Sequence, residues 1–446
     1  MAYPAYPDYI ASEADWLGQL PSHWKVRRLR FTANEPLKYG ANEAADLEDA
    51  ELPRYIRITD VKADGSLNSD TFRSLDEEVA APYLLEDGDI LLARSGATVG
   101  KSFQYSVNWG RAAYAGYLIR FRPDQTTIHP RFAYYYFQTE CYWACINSTL
   151  IQATIQNFSA EKYNDLKFPL PTTEEQKQIA AFLDYKTAQI NALIAKKKDL
   201  IEKLKEQRIA VITQAVTKGL NPDAPMRDSG VEWLGQVPEH WSVPALKMRY
   251  AIELGKMLDE KRISGGYLLP YLRNVDVQWD SINYEGLPRM DISEEEYDRY
   301  TVRENDVLVC EGGEVGRTAI VTNLEGIVGF QKALHRLRPQ KETEVPRFLF
   351  YTLFWAVNTH IFEVEGASTI AHLTGEQLRR YRFPQPPKSE QEAIVDYLDA
   401  ATNKILKMIK RIELAIDHLA EYRTALITAA TTGKIDVRGI KLNDAK

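Results

Sequence analysis

The chain has 446 residues, 45% hydrophobic and 26% charged, with a formal net charge of −7. That length suffices for about two to four globular domains, and no apolar run approaches the ~20 residues of a membrane span. The N-terminus MAYPAYPDYI lacks the basic-then-apolar pattern of a signal peptide, and three cysteines, an odd number, point to a reducing cytoplasm over a disulfide framework.

In chain order, WLGQLPSHW from Trp16 leads into the basic patch KVRRLR at Lys25 to Arg30. Such a patch permits phosphate contacts even in an acidic chain, because those contacts need only local charge. YIRITDV from Tyr55 and DILLAR from Asp89 read as strands, being β-branched and bounded by turn residues. GATVGKS, Gly96 to Ser102, then supplies a glycine-rich turn with a cation. PRFAYYYFQT from Pro130 reads as a buried helix opened by proline. Cys141 and Cys145 follow, four apart, with no neighbouring ligands to complete a metal site, so buried free thiols are expected. FPLP at Phe168 then precedes Thr172, Thr173, Glu174 and Glu175, a cap-and-acid helix start.

From residue 219 the order repeats. WLGQVPEHW begins at Trp233, YLRNVDV at Tyr271, DVLVCE at Asp306, GGEVGRT at Gly312, PRFLFYTLFW at Pro346 and FPQPPKSEQEAIVDYLD at Phe383. DISEEEYD, Asp291 to Asp298, is the acidic opposite of the basic KVRRLR patch. A repeat of more than ~200 residues is too long for a solenoid and means two homologous modules. The division is then globular modules at 1–171 and 219–386, helices at 172–218 and 387–435, and a tail at 436–446.

In the second helix Ile405, Met408, Ile412, Ala415, Leu419, Tyr422, Leu426 and Ala429 alternate by three and four, a heptad seam. The first helix places Ile190, Leu193, Lys197, Leu200, Leu204, Gln207, Val211 and Gln214 equivalently, with Ile194, Ile201 and Ala215 widening the stripe. About 40 residues make a rod of roughly 60 Å. Its natural partner is the other copy, and connectivity then requires the helices to run antiparallel. The expected fold is α+β: two repeated mixed α/β modules joined by two long antiparallel coiled-coil helices, with pseudo-two-fold symmetry like that of duplex DNA.

DSGVEWLGQVPEHW from Asp228, the FPLP and FPQP exits, and the helix starts Glu175, Gln176, Ile179, Leu183, Asp184 and Glu390, Gln391, Ile394, Leu398, Asp399 are together specific. Over essentially its whole length the chain resembles the specificity subunit of a type I restriction–modification enzyme. The resemblance implies that each module is a target recognition domain reading one half of a bipartite double-stranded DNA target. It also implies that the helices space the domains and dock modification subunits, two of them by the pseudo-symmetry. Those partners would carry S-adenosylmethionine, and separate restriction or motor subunits would carry ATP and Mg. This chain would hold no cofactor or metal and have no catalysis of its own.

The residues agree with a non-catalytic reading. GATVGKS is one residue short of a P-loop, with Ser95 where the first glycine belongs, and its second copy replaces the lysine by Arg317. No methyl-donor loop and no N-P-P-aromatic or D-P-P-aromatic tetrapeptide is present, and His23 and His240 sit inside a repeated structural element. Candidate DNA contacts fall in three sets. The glycine turns offer Arg94, Ser95 and Lys101 in one copy and Glu311 and Arg317 in the other; a purely structural turn is the competing reading. After the first strands come Arg57, Thr59 and Lys62, matched by Arg273, Asn274 and Gln278. After the aromatic helices come Thr149, Gln152 and Thr154, matched by Ser368, Thr369 and His372. Arg94 against Glu311 suggests different bases at the two ends. The alternatives are a coiled-coil scaffold without DNA specificity, or the recognition region of a fused type II-like methyltransferase or nuclease.

Overall fold

The structure is a computed structural model and describes residues 3–62, 65–151, 157–258, 266–363 and 372–441. The chain divides into two compact units, Met1–Lys198 with Glu413–Lys446, and Asp199–Ile412.

In the first unit an antiparallel sheet runs Lys38–Tyr39, Leu118–Phe121, Ile90–Ala93, Ser102–Gln104 in space. Side chains alternate between the faces of a strand, and both faces are used. Ile90, Leu92, Ile119 and Phe121 join a core with the aromatic helix Pro130–Tyr136 and the helix Glu140–Ile151. Leu91, Ala93, Phe103 and Leu118 join a second core with Ile56 and Tyr114. Those last two lie on Arg54–Ile56 and Ala112–Tyr114, which pair in parallel. Asp89, at the foot of the sheet, is buried and takes two hydrogen bonds of 2.8 Å from the Arg122 guanidinium.

The second unit repeats the plan. Its sheet runs Tyr250–Leu254, Leu334–Pro339, Val307–Cys310, Thr318–Ile320. Val307 and Val309 face the aromatic helix Pro346–Asn358, while Leu308 and Cys310 face the opposite core. Leu268–Leu272 pairs in parallel with Gly329–Phe330, and Asp306 binds Arg338 at 2.8 and 2.7 Å. One buried feature has no twin in the first unit. Arg249 donates Nε and Nη2 to Glu344 Oε2 at 3.0 and 2.6 Å, and Gln385 donates to Oε1 at 2.5 Å. The equivalent residues of the first unit are Thr32, Ile128 and Leu170.

Each module closes at a neck. Lys25–Arg28 pairs antiparallel with Lys167–Leu170, and in the second unit Ser242 bridges Gln385 and Ala245 bridges Arg382.

The long helices are Thr173–Lys218 and Lys388–Thr431. Each stops at a glycine of positive φ, Gly219 (+75°) and Gly433 (+69°), the usual left-handed exit. A Cβ on Gly433 would lie 2.4 Å from Pro21, so no larger residue fits. In the first unit Ile179, Phe182, Leu183 and Ile190 share a core with Leu426, Ile427 and Ala430. In the second, Ile212, Ala215 and Val216 share one with Ile394, Val395 and Leu398.

Of the expected seam positions, Ile190, Leu204, Ile405 and Leu426 are buried, and Val211, Ile412 and Leu419 half-buried. Leu193, Leu200 and Met408 are not; they are 44%, 44% and 41% exposed. The packed line passes instead through half-buried Ile194 and buried Ile201 and Ile409, one residue further on. One of the two heptad columns, that of Ile190, Leu204, Ile405 and Leu426, is therefore buried, while the other, that of Leu193, Leu200 and Met408, lies about one residue round the helix from the packed face.

Candidate nucleic-acid interface

The repeated motifs at the helix starts form a polar clamp that fixes each module to its helix. Glu175 accepts from Tyr6 Oη at 2.6 Å and Trp24 Nε1 at 3.1 Å, with His23 Nε2 3.1 Å from its other oxygen. Glu390 has Trp241 Nε1 at 3.0 Å and His240 Nε2 at 2.8 Å. Gln176 donates to the carbonyls of Thr127 and Pro171 and accepts from the His129 amide; Gln391 does the same with Thr343, Pro386 and Val345. Asp184 binds Arg131 and Tyr135 at 2.6 and 2.7 Å, as Asp399 binds Arg347 and Tyr351. Burial, chiefly, pushes the Tyr135 and Tyr351 phenols up to about 12, so both remain hydrogen-bond donors at neutral pH. His23 and His240 therefore serve the clamp.

Upon this frame each sheet presents its glycine turn. The turn links two antiparallel strands, Ile90–Ala93 to Ser102–Gln104 in the first unit and Val307–Cys310 to Thr318–Ile320 in the second. It leads into no helix, so it lacks the helix N-terminus that holds phosphate in a P-loop. Its last glycine is structural: Gly100 and Gly316 have φ of +85° and +79°, and a Cβ would press on Trp143 or Val357 at 2.8 and 2.6 Å.

The residue opening each turn is pinned alike on both sides. The Arg94 amide donates to Tyr117 O at 3.0 Å and its carbonyl accepts from Phe158 N at 2.8 Å. The Glu311 amide donates to Ala333 O at 3.0 Å and its carbonyl accepts from Leu373 N at 2.8 Å. The Arg94 guanidinium lies 4.8 Å over the Tyr39 ring. Ser95 bridges Asn157, and Lys101 is exposed. Arg317 differs from Lys101: it donates to Asn274 O at 2.8 Å and pairs with Glu314 at 3.3 Å. Asn274 in turn donates to Gly312 O at 2.8 Å, and the exposed His372 abuts Gly312. Asn274, Glu311, Arg317 and His372 thus gather around one turn of the second unit.

Other expected contacts are otherwise engaged. Arg57 forks onto the buried Asp60 at 3.1 and 2.8 Å, and Arg273 onto Asp276 at 2.9 and 2.8 Å. These two arginines close their own turns. Thr59 and Lys62 are exposed on that turn, and Gln278 is exposed with its amide on Val275 O. The Thr149 hydroxyl is spent on Cys145 O at 2.9 Å. Gln152, Thr154, Ser368 and Thr369 lie outside the described residues. Cys141, Cys145 and Cys310 are free thiols. Among the described residues no cluster could hold a metal ion, and no helix is long and apolar enough to cross a membrane.

Sequence reasoning missed Tyr39 and the Arg131–Tyr135–Asp184 ladder. The ladder was findable, because Arg347, Tyr351 and Asp399 recur in the same order in the second copy, with the tyrosine-to-aspartate spacing shorter by one residue.

Comparison with known proteins agrees with this architecture. The family described as type I restriction modification DNA specificity domain matches residues 42–203 and 251–417. A protein described as the specificity subunit of the type I restriction enzyme MjaX of Methanocaldococcus jannaschii is 25% identical over 436 residues, covering 95% of this chain and 96% of its own. The EcoBI specificity subunit of Escherichia coli is 28% identical over 305 residues, covering 65% and 63%. A chain solved in a study of complex assembly and conformational transition of the type I R-M system superimposes with a TM-score of 0.72. It shares 15% identity, over 92% of this chain and 98% of that one.

Proposed function

The chain belongs to the type I restriction–modification DNA specificity family, and from that premise we propose that each unit reads one half of a bipartite duplex target. It is the non-catalytic specificity subunit of a restriction–modification complex, working with DNA and the other subunits of that system. The observation that carries the reading is the doubled turn. One scaffold, clamped to its helix through the same Trp, His, Gln and Asp contacts, presents Arg94 in one unit and Glu311 in the other from equivalently pinned backbone. Opposite charges at equivalent points suit two different half-sites.

The long helices act as an antiparallel spacer that sets half-site separation and docks two modification subunits. The cores that join the start of one helix to the end of the other within each unit support this. Modification subunits carry S-adenosylmethionine and restriction subunits carry ATP and Mg, in the cytoplasm. Methylome sequencing of cells expressing the complex is the test. A two-part methylated sequence with an unread spacer is expected; methylation without sequence preference would refute the reading and favour a scaffold.

A further inference from the structure

Nearly every arginine of the first unit that is not fully exposed is tied to protein. Arg54, Arg57, Arg73, Arg120, Arg122 and Arg131 all donate to carboxylates or carbonyls. Arg94 is the exception. It is half-buried, its Nε is buried without a partner, and its side chain makes no hydrogen bond or ion pair among the described residues. Its guanidinium is instead laid over the Tyr39 ring at 4.8 Å. That ring is itself held, because the Tyr39 hydroxyl accepts from the Ala160 amide at 3.0 Å. The stacking leaves the two Nη groups as the unsatisfied edge of a fixed fork, spaced for two acceptors on one molecule.

The second unit supplies the control. Where Arg94 is replaced by Glu311, Tyr39 is replaced by Leu254, so the aromatic platform is present only where there is a cation to stack. The inversion of charge also says what the position faces. A phosphate would repel a carboxylate, whereas a base edge accommodates either sign: arginine on guanine O6 and N7, glutamate on cytosine N4.

We propose that Tyr39 is a positioning residue for specificity, presenting the Arg94 fork to one guanine of the half-site read by the first unit. This rests on the proposed function. The experiment uses the complete complex with its partner subunits. Arg94→Ala should relax one guanine position of one half-site, by about 5- to 150-fold. Tyr39→Leu should relax that same position, while Tyr39→Phe, which keeps the ring, should retain most of the preference. Replacing that guanine by 7-deazaguanine, which lacks the N7 acceptor, should weaken wild-type binding and leave Arg94→Ala unaffected. The other half-site should be unchanged throughout, which separates lost reading from lost folding. Tyr39→Leu with full preference at that position overturns the proposal. So does an Arg94→Ala variant that weakens all sequences alike and flattens the salt dependence, as a phosphate contact would. A wild-type complex without sequence preference in either half would sink the proposed function as well.

Discussion

The buried Arg249–Glu344 pair allows a stability test in which the protein supplies its own reference. Both residues are buried, and among the described residues the guanidinium's further hydrogen bond goes to Pro384 O, at 3.2 Å. Replacing Glu344 by isoleucine, the residue at the equivalent place in the first unit, removes three hydrogen bonds, two from Arg249 and one from Gln385, and leaves a buried unpaired cation. Breaking such a pair costs ~3–5 kcal/mol. For a unit of this size that is a fall in Tm of about 6–20 °C. The triple change Arg249→Thr, Glu344→Ile, Gln385→Leu transplants the first unit's solution and removes every orphaned charge. It should recover at least ~2 kcal/mol of the single variant's loss. Differential scanning calorimetry, with hydrogen exchange to localise the effect to 246–254 and 334–358, would measure both. A triple variant no more stable than Glu344→Ile would mean that the pair is not the source of the loss, and the reasoning fails.

The buried helix line makes a second contrast. Leu204→Ala, at 5% exposure, should cost ~2–5 kcal/mol, whereas Leu193→Ala and Leu200→Ala should stay within ~0.5 kcal/mol in the free chain; equal melting points for all three would refute the displaced seam. His335 is buried with Nε2 2.8 Å from Leu373 O, and burial holds its pKa below the ordinary value, against Glu311 and with Arg379. The neutral form is favoured by folding, so its stabilisation is present above ~6.5 and is lost as pH falls through the folded value. Melting from pH 7.5 to 5.5 should show an acid slope that shrinks in His335→Ile, and an unaltered slope would remove His335 as its source. Exchanging residues 26–167 for those of a related chain should alter one half-site in the methylome and spare the other; a change in both would show that the units do not read independently.

The sequence disclosed the repeat, the aromatic helices after Pro130 and Pro346, and the long helices, because each is carried by local pattern: proline at a first turn, apolar periodicity, glycine at an exit. It misled where two patterns nearly coincide. Leu193 and Leu200 fit a heptad, yet the neighbouring Ile194 and Ile201 are the ones that pack, half-buried and buried beside Ile190 and Leu204. Arg57 and Arg273 looked like free cations because their partners, Asp60 and Asp276, stand three residues on, a spacing legible only when both copies are read together. Tyr39 could not be found at all. Its partner Arg94 is 55 residues away, brought near by strand pairing through Leu118–Phe121.

The neck of each module has a consequence for heredity. The whole body of the first module leaves and returns through one antiparallel pair, Lys25–Arg28 with Lys167–Leu170. Two genetic crossovers at those codons would exchange an entire reading surface while the clamp residues Glu175, Gln176 and Asp184 stay with the resident helix. A population could thus acquire a new address in one recombination event. With the address on a single chain, every partner that works with that chain would be redirected together.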